Sequence, residues 1–209
     1  MLKHVIWDFD GTLFDTYPFF MSALSRALKL RGIAADARVM MEKFMDCERA
    51  ALDYYCMRHG LGEDFRRDYF AIKAAEDLSL IRPFPGAEAA CRGVISAGGR
   101  NYILTHRDRS ALDIVEMCGM GGLFCEIVTS DSGFPRKPDP AGALYLMAKH
   151  AMRPDETLIV GDRELEVQLA RNAGVRSCFF ANGDARCVTP PDYTVRELAA
   201  VIDIVRGSV

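Results

Sequence analysis

The stretch Val5-Ile6-Trp7-Asp8-Phe9-Asp10-Gly11-Thr12-Leu13-Phe14 decides how the rest of the chain is read. Val5, Ile6 and Trp7 form a short apolar run with the character of a buried strand. The run ends abruptly in Asp8, Asp10, Gly11 and Thr12. Residues two apart on an extended segment share a face, so Asp8 and Asp10 are expected on one side, at the strand's carboxyl end. Open parallel sheets place their ligands there. Gly11 can take backbone conformations closed to other residues and lets the loop approach a ligand. An acidic pair beside a backbone nest suits a metal ion and a phosphate. Asp-Gly alone is a common turn dipeptide, but Asp-x-Asp-Gly-Thr arises by chance only about once in 10^5 positions.

Composition narrows the field. Half of the 209 residues are hydrophobic, enough for one sizeable core or a core with a small satellite domain. The net charge is −3 at pH 7, and both signs are spread along the chain. Nothing resembles a nucleic-acid stripe or a polybasic membrane patch. No apolar segment is long enough to cross a bilayer, and Asp8 comes too early for a signal peptide, so a cytoplasmic location is expected. Seven cysteines (Cys47, Cys56, Cys91, Cys118, Cys125, Cys178, Cys187) include no Cys-x-x-Cys. An odd, scattered set reads as reduced thiols rather than a disulfide framework or a zinc site. His4, His59, His106 and His150 make no metal-ligand spacing.

From Thr16 to about Ile81 the pattern is helical. Phe20, Leu24, Ala27 and Leu28 share a face, followed by Val39, Met40 and Phe44, then Leu52, Tyr55, Cys56 and His59, then Phe65, Tyr69 and Ile72. Four amphipathic helices in succession predict a small bundle. Arg82-Pro83-Phe84-Pro85-Gly86 breaks the pattern as a linker or hinge. Beyond it, helices and strands alternate: a helix over Ala87–Ala97, a strand over Asn101–Thr105, and a helix capped by Asp108 with Leu112, Val115 and Cys118 inward. A strand follows over Glu126–Thr129, then a helix begun by Asp139-Pro140 with Ala141, Leu144, Tyr145 and Ala148 on one face. Thr157–Val160 is a strand, Glu164–Ala173 a helix and Val175–Phe180 a strand. Thr194 to Glu197 matches a capping box for a last helix burying Leu198, Val201, Ile202 and Val205. Such alternation means a parallel sheet covered on both faces. The helical insert then hangs on two linkers just beyond Asp10-Gly11-Thr12, where a cap that closes over the acidic pair would exclude water.

Three further points carry polar chemistry at strand ends. Thr105 is followed by His106-Arg107-Asp108, either a strand end leading into a helix cap or a hydroxyl with helix-start amides for a phosphate. His106 and Arg107 either add a phosphate contact or face the cap. Lys137 lies in Pro135-Arg136-Lys137-Pro138-Asp139-Pro140, where the Lys-Pro-x-Pro frame fixes where the ammonium points. Gly161-Asp162 places a carboxylate beside a glycine as a metal ligand. Glu166, four positions on, is either an exposed helix residue or a helper acting through water or through a ligand it touches.

Asp8-Phe9-Asp10-Gly11-Thr12-Leu13 resembles the first motif of the haloacid dehalogenase-like superfamily, most of whose members are Mg-dependent phosphatases. Thr105, Lys137 and Gly161-Asp162 resemble its second, third and fourth motifs, in the same order along the chain. His106-Arg107 is less usual after the second motif's hydroxyl, and Glu166 stands where members usually carry Asp. The insert after the first motif resembles the branch containing phosphoglycolate phosphatases and β-phosphoglucomutases. The resemblance implies an α/β protein: a Rossmann-like parallel sheet core over 1–14 and 83–209, with a four-helix cap domain over 15–82. It implies Asp8 as nucleophile, passing through an aspartyl-phosphate, and Asp10 as acid and base. Gly11, Thr12, Thr105, His106 and Lys137 are its phosphate-binding candidates. Mg²⁺ is expected on Asp8, the Asp10 backbone carbonyl and Asp162, with Glu166 in support. The expected substrate is a small phosphorylated metabolite, and the expected assembly a monomer or homodimer. A phosphomutase differs only in what accepts the phosphoryl group. A catalytically silent binding module is the alternative from another class, opposed by the intact Asp8, Asp10, Thr105, Lys137 and Asp162. A dehalogenase has no need of Asp10. A phosphonatase would use a cap lysine, and nothing singles out Lys29, Lys43 or Lys73. Asp15, Tyr17 and Arg82, near the hinges, are candidates for substrate contact.

Overall fold

A computed structural model describes residues 1–183 and 186–207. It divides into two units, one made of Met1–Asp15 with Pro83–Val209, the other of Thr16–Arg82. The first unit is built on six parallel strands: β1 (His4–Trp7), β2 (Arg100–Leu104), β3 (Phe124–Val128), β4 (Thr157–Gly161), β5 (Arg176–Phe180) and β6 (Tyr193–Val195). Their order across the sheet is 3-2-1-4-5-6. β1 therefore pairs on both sides, and every one of its residues is buried. A strand covered on both faces reads as a continuous apolar run rather than an alternating one.

Helices α5 (Ala87–Ser96), α6 (Ser110–Met117), α7 (Ala141–Lys149), α8 (Glu164–Ala173) and α9 (Val201–Arg206) belong to this unit. Ile6, Tyr102 and Ile159 lie level across three strands and share a core with Leu146 and Met147 of α7 and Leu169 and Ala170 of α8. Trp7 and Asn101 belong to the opposite face. There the Trp7 indole N–H donates to Asn101 Oδ1 at 2.9 Å, and the Asn101 amide donates to the carbonyls of Cys91 in α5 and Leu123. The buried amide is satisfied without water, as such groups must be.

Several expectations about helix faces need correction. α6 buries Ala111, Ile114 and Val115 and leaves Leu112 exposed. α7 buries Gly142, Ala143, Leu146 and Met147 and exposes Leu144. Both helices carry apolar residues around most of their circumference, so periodicity offers two faces, and only packing on the sheet selects one. α9 buries Ile204 in place of Ile202. The capping box at Thr194 is also absent. Tyr193–Val195 is the sixth strand, in register with Cys178–Phe180. Partnership with β5 outweighs a local cap preference there.

The second unit holds α1 (Tyr17–Lys29), α2 (Ala37–Asp46), α3 (Glu48–His59) and α4 (Glu63–Ala74). Leu24, Leu28, Phe44, Leu52, Tyr55, Phe65 and Tyr69 make its own core. Asp36 caps α2 by accepting the Arg38 and Val39 amides. Among the described residues, no helix is long and apolar enough to cross a membrane.

Candidate active site

Parallel register brings the motif residues to one edge of the sheet. Trp7 is level with Ile103 on one side and Val160 on the other. Asp8, Thr105 and Asp162 therefore leave three neighbouring strands at the same end. The strand order reverses at β1, which is where open sheets of this kind form a crevice. The Asp8 amide still donates to the Val160 carbonyl at 2.9 Å. Gly11 has a φ of 83°, which a β-carbon resists, and its N–H turns back to the Phe14 carbonyl at 2.9 Å. The Thr12 hydroxyl donates to Asp162 Oδ1 at 2.9 Å. Both were candidates for phosphate. In the structure the Gly11 amide closes the loop, and the Thr12 hydroxyl holds a neighbouring carboxylate in place.

Lys137 is buried, and its ammonium donates to Asp8 Oδ1 at 2.6 Å, Glu166 Oε1 at 2.9 Å and the Leu104 carbonyl at 3.1 Å. Three donors meet three acceptors, the full capacity of the group. Burial works against the charge, but attraction to Asp8 and Glu166 outweighs it and raises the Lys137 pKa. Glu166 is 1% exposed, so it is no surface residue. A β-carbon built on Gly161 would run into the Glu166 side chain. The glycine before Asp162 leaves the space that the longer acidic chain fills. Burial pushes Glu166 up, yet Lys137 and Arg163 hold it below its ordinary value. Asp8 goes the other way: burial raises it, against the pull of Lys137. Burial also pushes Asp162 up, to about 7.

Three basic neighbours acquire definite partners. His106 Nε2 accepts the Lys137 backbone N–H at 2.7 Å, pinning the loop that carries the ammonium. Burial, with Lys137 and Arg136 adding to it, lowers His106 to about 3. Its ring is thus neutral and can accept. Arg107 reaches Asp10, with Nη2 at 2.7 Å and Nε at 3.1 Å from Oδ1. Arg163, which the motif pattern did not single out, brings Nη2 to 3.6 Å from Asp8 Oδ2 and 3.5 Å from Glu166 Oε1. The only sequence signal for it was its place directly after Asp162.

Asp8, Asp162 and Glu166 each offer an oxygen within 4.8 Å of the others. Asp8 Oδ2 and Glu166 Oε2 are buried without a hydrogen-bond partner. An unsatisfied buried acceptor costs about 1–3 kcal/mol, more when charged. Counted as ionised, three carboxylates meet Lys137 and Arg163, which leaves one negative charge uncompensated. A donor set made only of carboxylate oxygens suits a hard divalent cation rather than zinc or copper. The residues therefore fit such an ion.

A family model described as haloacid dehalogenase-like hydrolase matches residues 5–180. A phosphoglycolate phosphatase of Cereibacter sphaeroides (strain ATCC 17025 / ATH 2.4.3) is 31% identical over 86% of this chain and 85% of its own. A phosphoglycolate phosphatase of Vibrio vulnificus (strain YJ016) is 24% identical over 98% of this chain and 96% of its own. The crystal structure of a predicted phosphoglycolate phosphatase from Haemophilus somnus 129PT superposes with a TM-score of 0.83 at 24% identity, over 97% of each chain.

Proposed function

The chain belongs to the haloacid dehalogenase-like hydrolases and is a phosphatase of that family, and from that premise we propose that it hydrolyses a small phosphorylated metabolite with Mg²⁺, through an aspartyl-phosphate on Asp8. The observation that carries this reading is the Lys137 ammonium held between Asp8 and Glu166 at 2.6 and 2.9 Å, beside two buried carboxylate oxygens that accept no hydrogen bond. Asp8, Asp162 and the Asp10 backbone carbonyl would hold the ion, with Glu166 in support. When bound, it supplies positive charge that lets an anionic nucleophile meet an anionic ester.

The chain's own groups divide the remaining work. The Asp8 carboxylate attacks phosphorus, and the bond from phosphorus to the ester oxygen breaks. Asp10 gives its proton to the departing alkoxide. A water then attacks the aspartyl-phosphate and loses a proton to Asp10. The bond to Asp8 breaks, releasing inorganic phosphate and restoring both carboxyl groups. Lys137 holds phosphoryl oxygens electrostatically. The Thr105 hydroxyl accepts the Arg107 amide at 3.0 Å, so its own proton remains for a phosphoryl oxygen. The backbone amide of His106 is assigned to the same group, since its ring is engaged by Lys137. The helical unit Thr16–Arg82 is assigned the role of cap, selecting the leaving group.

The relatives named phosphoglycolate phosphatases make 2-phosphoglycolate the first substrate to try. Purified chain is incubated with 2-phosphoglycolate and with p-nitrophenyl phosphate, with Mg²⁺ and with chelator. Turnover that requires Mg²⁺ and disappears in Asp8→Asn, by at least about 10^4-fold, is expected. Equal turnover by Asp8→Asn would refute the nucleophile, and no turnover with any divalent ion would favour a binding module.

A further inference from the structure

Arg107 has no part in the steps above, yet it is tied to the group that moves the proton. Its side chain is 9% exposed and ends on Asp10, with Nε and Nη2 both on Oδ1 at 3.1 and 2.7 Å. Asp10 Oδ2 takes no hydrogen bond from the described residues. The guanidinium is itself held. Its carbon lies 5.5 Å from the centre of the Phe9 ring, and Nη1 is 3.5 Å from Ser110 Oγ. The backbone beneath is fixed as well, since the Arg107 N–H donates to Thr105 Oγ1 at 3.0 Å and the Ser130 N–H donates to the Arg107 carbonyl at 2.9 Å.

An aspartate on a loop turned by a left-handed glycine can rotate about two side-chain bonds. A rigid planar fork on one oxygen removes that freedom and leaves the other oxygen in a set direction. We propose that Arg107 is a positioning residue for the reaction: it clamps Asp10 Oδ1 so that Oδ2 is presented to the leaving-group oxygen and then to the attacking water. The proposal rests on Asp10 as the proton carrier. A displacement of about 1 Å at a reacting group costs roughly 10²-fold in rate, and that is the size of effect expected from losing the clamp.

The test uses the full chain with Mg²⁺ and four proteins besides wild type: Arg107→Gln, Arg107→Lys, Asp10→Asn, and Asp10→Asn with Arg107→Gln. Two esters separate the roles. An alkyl ester such as 2-phosphoglycolate needs a proton on its leaving oxygen, whereas the nitrophenolate of p-nitrophenyl phosphate leaves without one. Arg107→Gln is expected to lower kcat on the alkyl ester about 10²-fold with KM nearly unchanged. The first burst of nitrophenolate should be almost unaffected. Arg107→Lys should recover part of kcat, and Arg107→Gln should add nothing in the Asp10→Asn background. A raised KM with intact kcat would make Arg107 a substrate contact and overturn the clamp. So would additive losses in the double variant, an equally slowed burst, or an unchanged kcat. If Arg107→Gln does not fold, Arg107→Lys is read by the same contrast between burst and alkyl turnover. Wild-type turnover abolished by Asp8→Asn tests the underlying reading separately, and a wild type inactive on both esters overturns both.

Discussion

Glu126 and Glu166 each accept a hydrogen bond from a lysine at 2.9 Å, one on edge strand β3 and one beneath Asp8. The pairs differ in what surrounds them. Glu126 takes Lys149 and the Tyr145 hydroxyl on one oxygen and His150 on the other. Lys149 is 51% exposed, whereas Lys137 is 3% exposed. Burial pushes both glutamates up, and both are held low nonetheless: Glu126 by hydrogen bonds from Lys149, His150 and Tyr145, Glu166 by attraction to Lys137 and Arg163. Only around the second pair are buried carboxylate oxygens left with no hydrogen bond at all, Glu166 Oε2 and Asp8 Oδ2. In the half-exposed pair both carboxylate oxygens already accept hydrogen bonds. A buried pair with unmet acceptors is held there by the surrounding fold and is available to a cation.

Replacing the two lysines tests that contrast most severely. Lys137→Met leaves two carboxylates in the interior without their cation. Stability should fall by about 3 kcal/mol in urea unfolding, and phosphate release should slow about 10²- to 10³-fold. A smaller effect is expected from His106→Asn, read in the acid limb of stability. The unfolded chain takes up the histidine proton near 6.5, but the folded chain resists until about 3. The stability held by neutral His106 is therefore complete above 6.5 and drains away as pH falls from there toward 3. Melting curves of His106→Asn should show a flatter dependence than wild type across that window. A parallel dependence would mean that His106 is not held neutral by the fold. The smallest effect belongs to Lys149→Met, which should leave both melting temperature and turnover unchanged. Equal losses from Lys137→Met and Lys149→Met would erase the distinction between the pairs.

Much of the site was legible because its residues sit in strong local contexts. Asp8, Thr105 and Asp162 each follow a strand that announces itself by apolar content, and Lys137 stands in a proline frame. Their partners were not legible. Arg107 meets Asp10 from 97 positions away, and Lys137 meets Asp8 from 129. His106 was a phosphate candidate, while its ring holds the Lys137 loop. Sequence alone leaves Glu166 open between surface and site, and the room it occupies beside Gly161 is a fact of packing. The buried faces of α6 and α7 differ from the expected ones for a related reason. Residues such as Leu112 and Leu144 are apolar enough to be core, and helical period alone does not say which stripe meets the sheet.

The amino-acid order by itself determined the alternation of strands and helices, the insertion of four helices after the first acidic motif, and the strand-end positions of the reactive side chains. These follow from hydrophobic period and from glycine and proline, which act within a few residues. Tertiary structure alone decided which charges meet, which carboxylates are left with unmet oxygens, and which arginine holds Asp10. Those outcomes depend on the register of parallel strands and on burial, and neither is written in any short stretch of the chain.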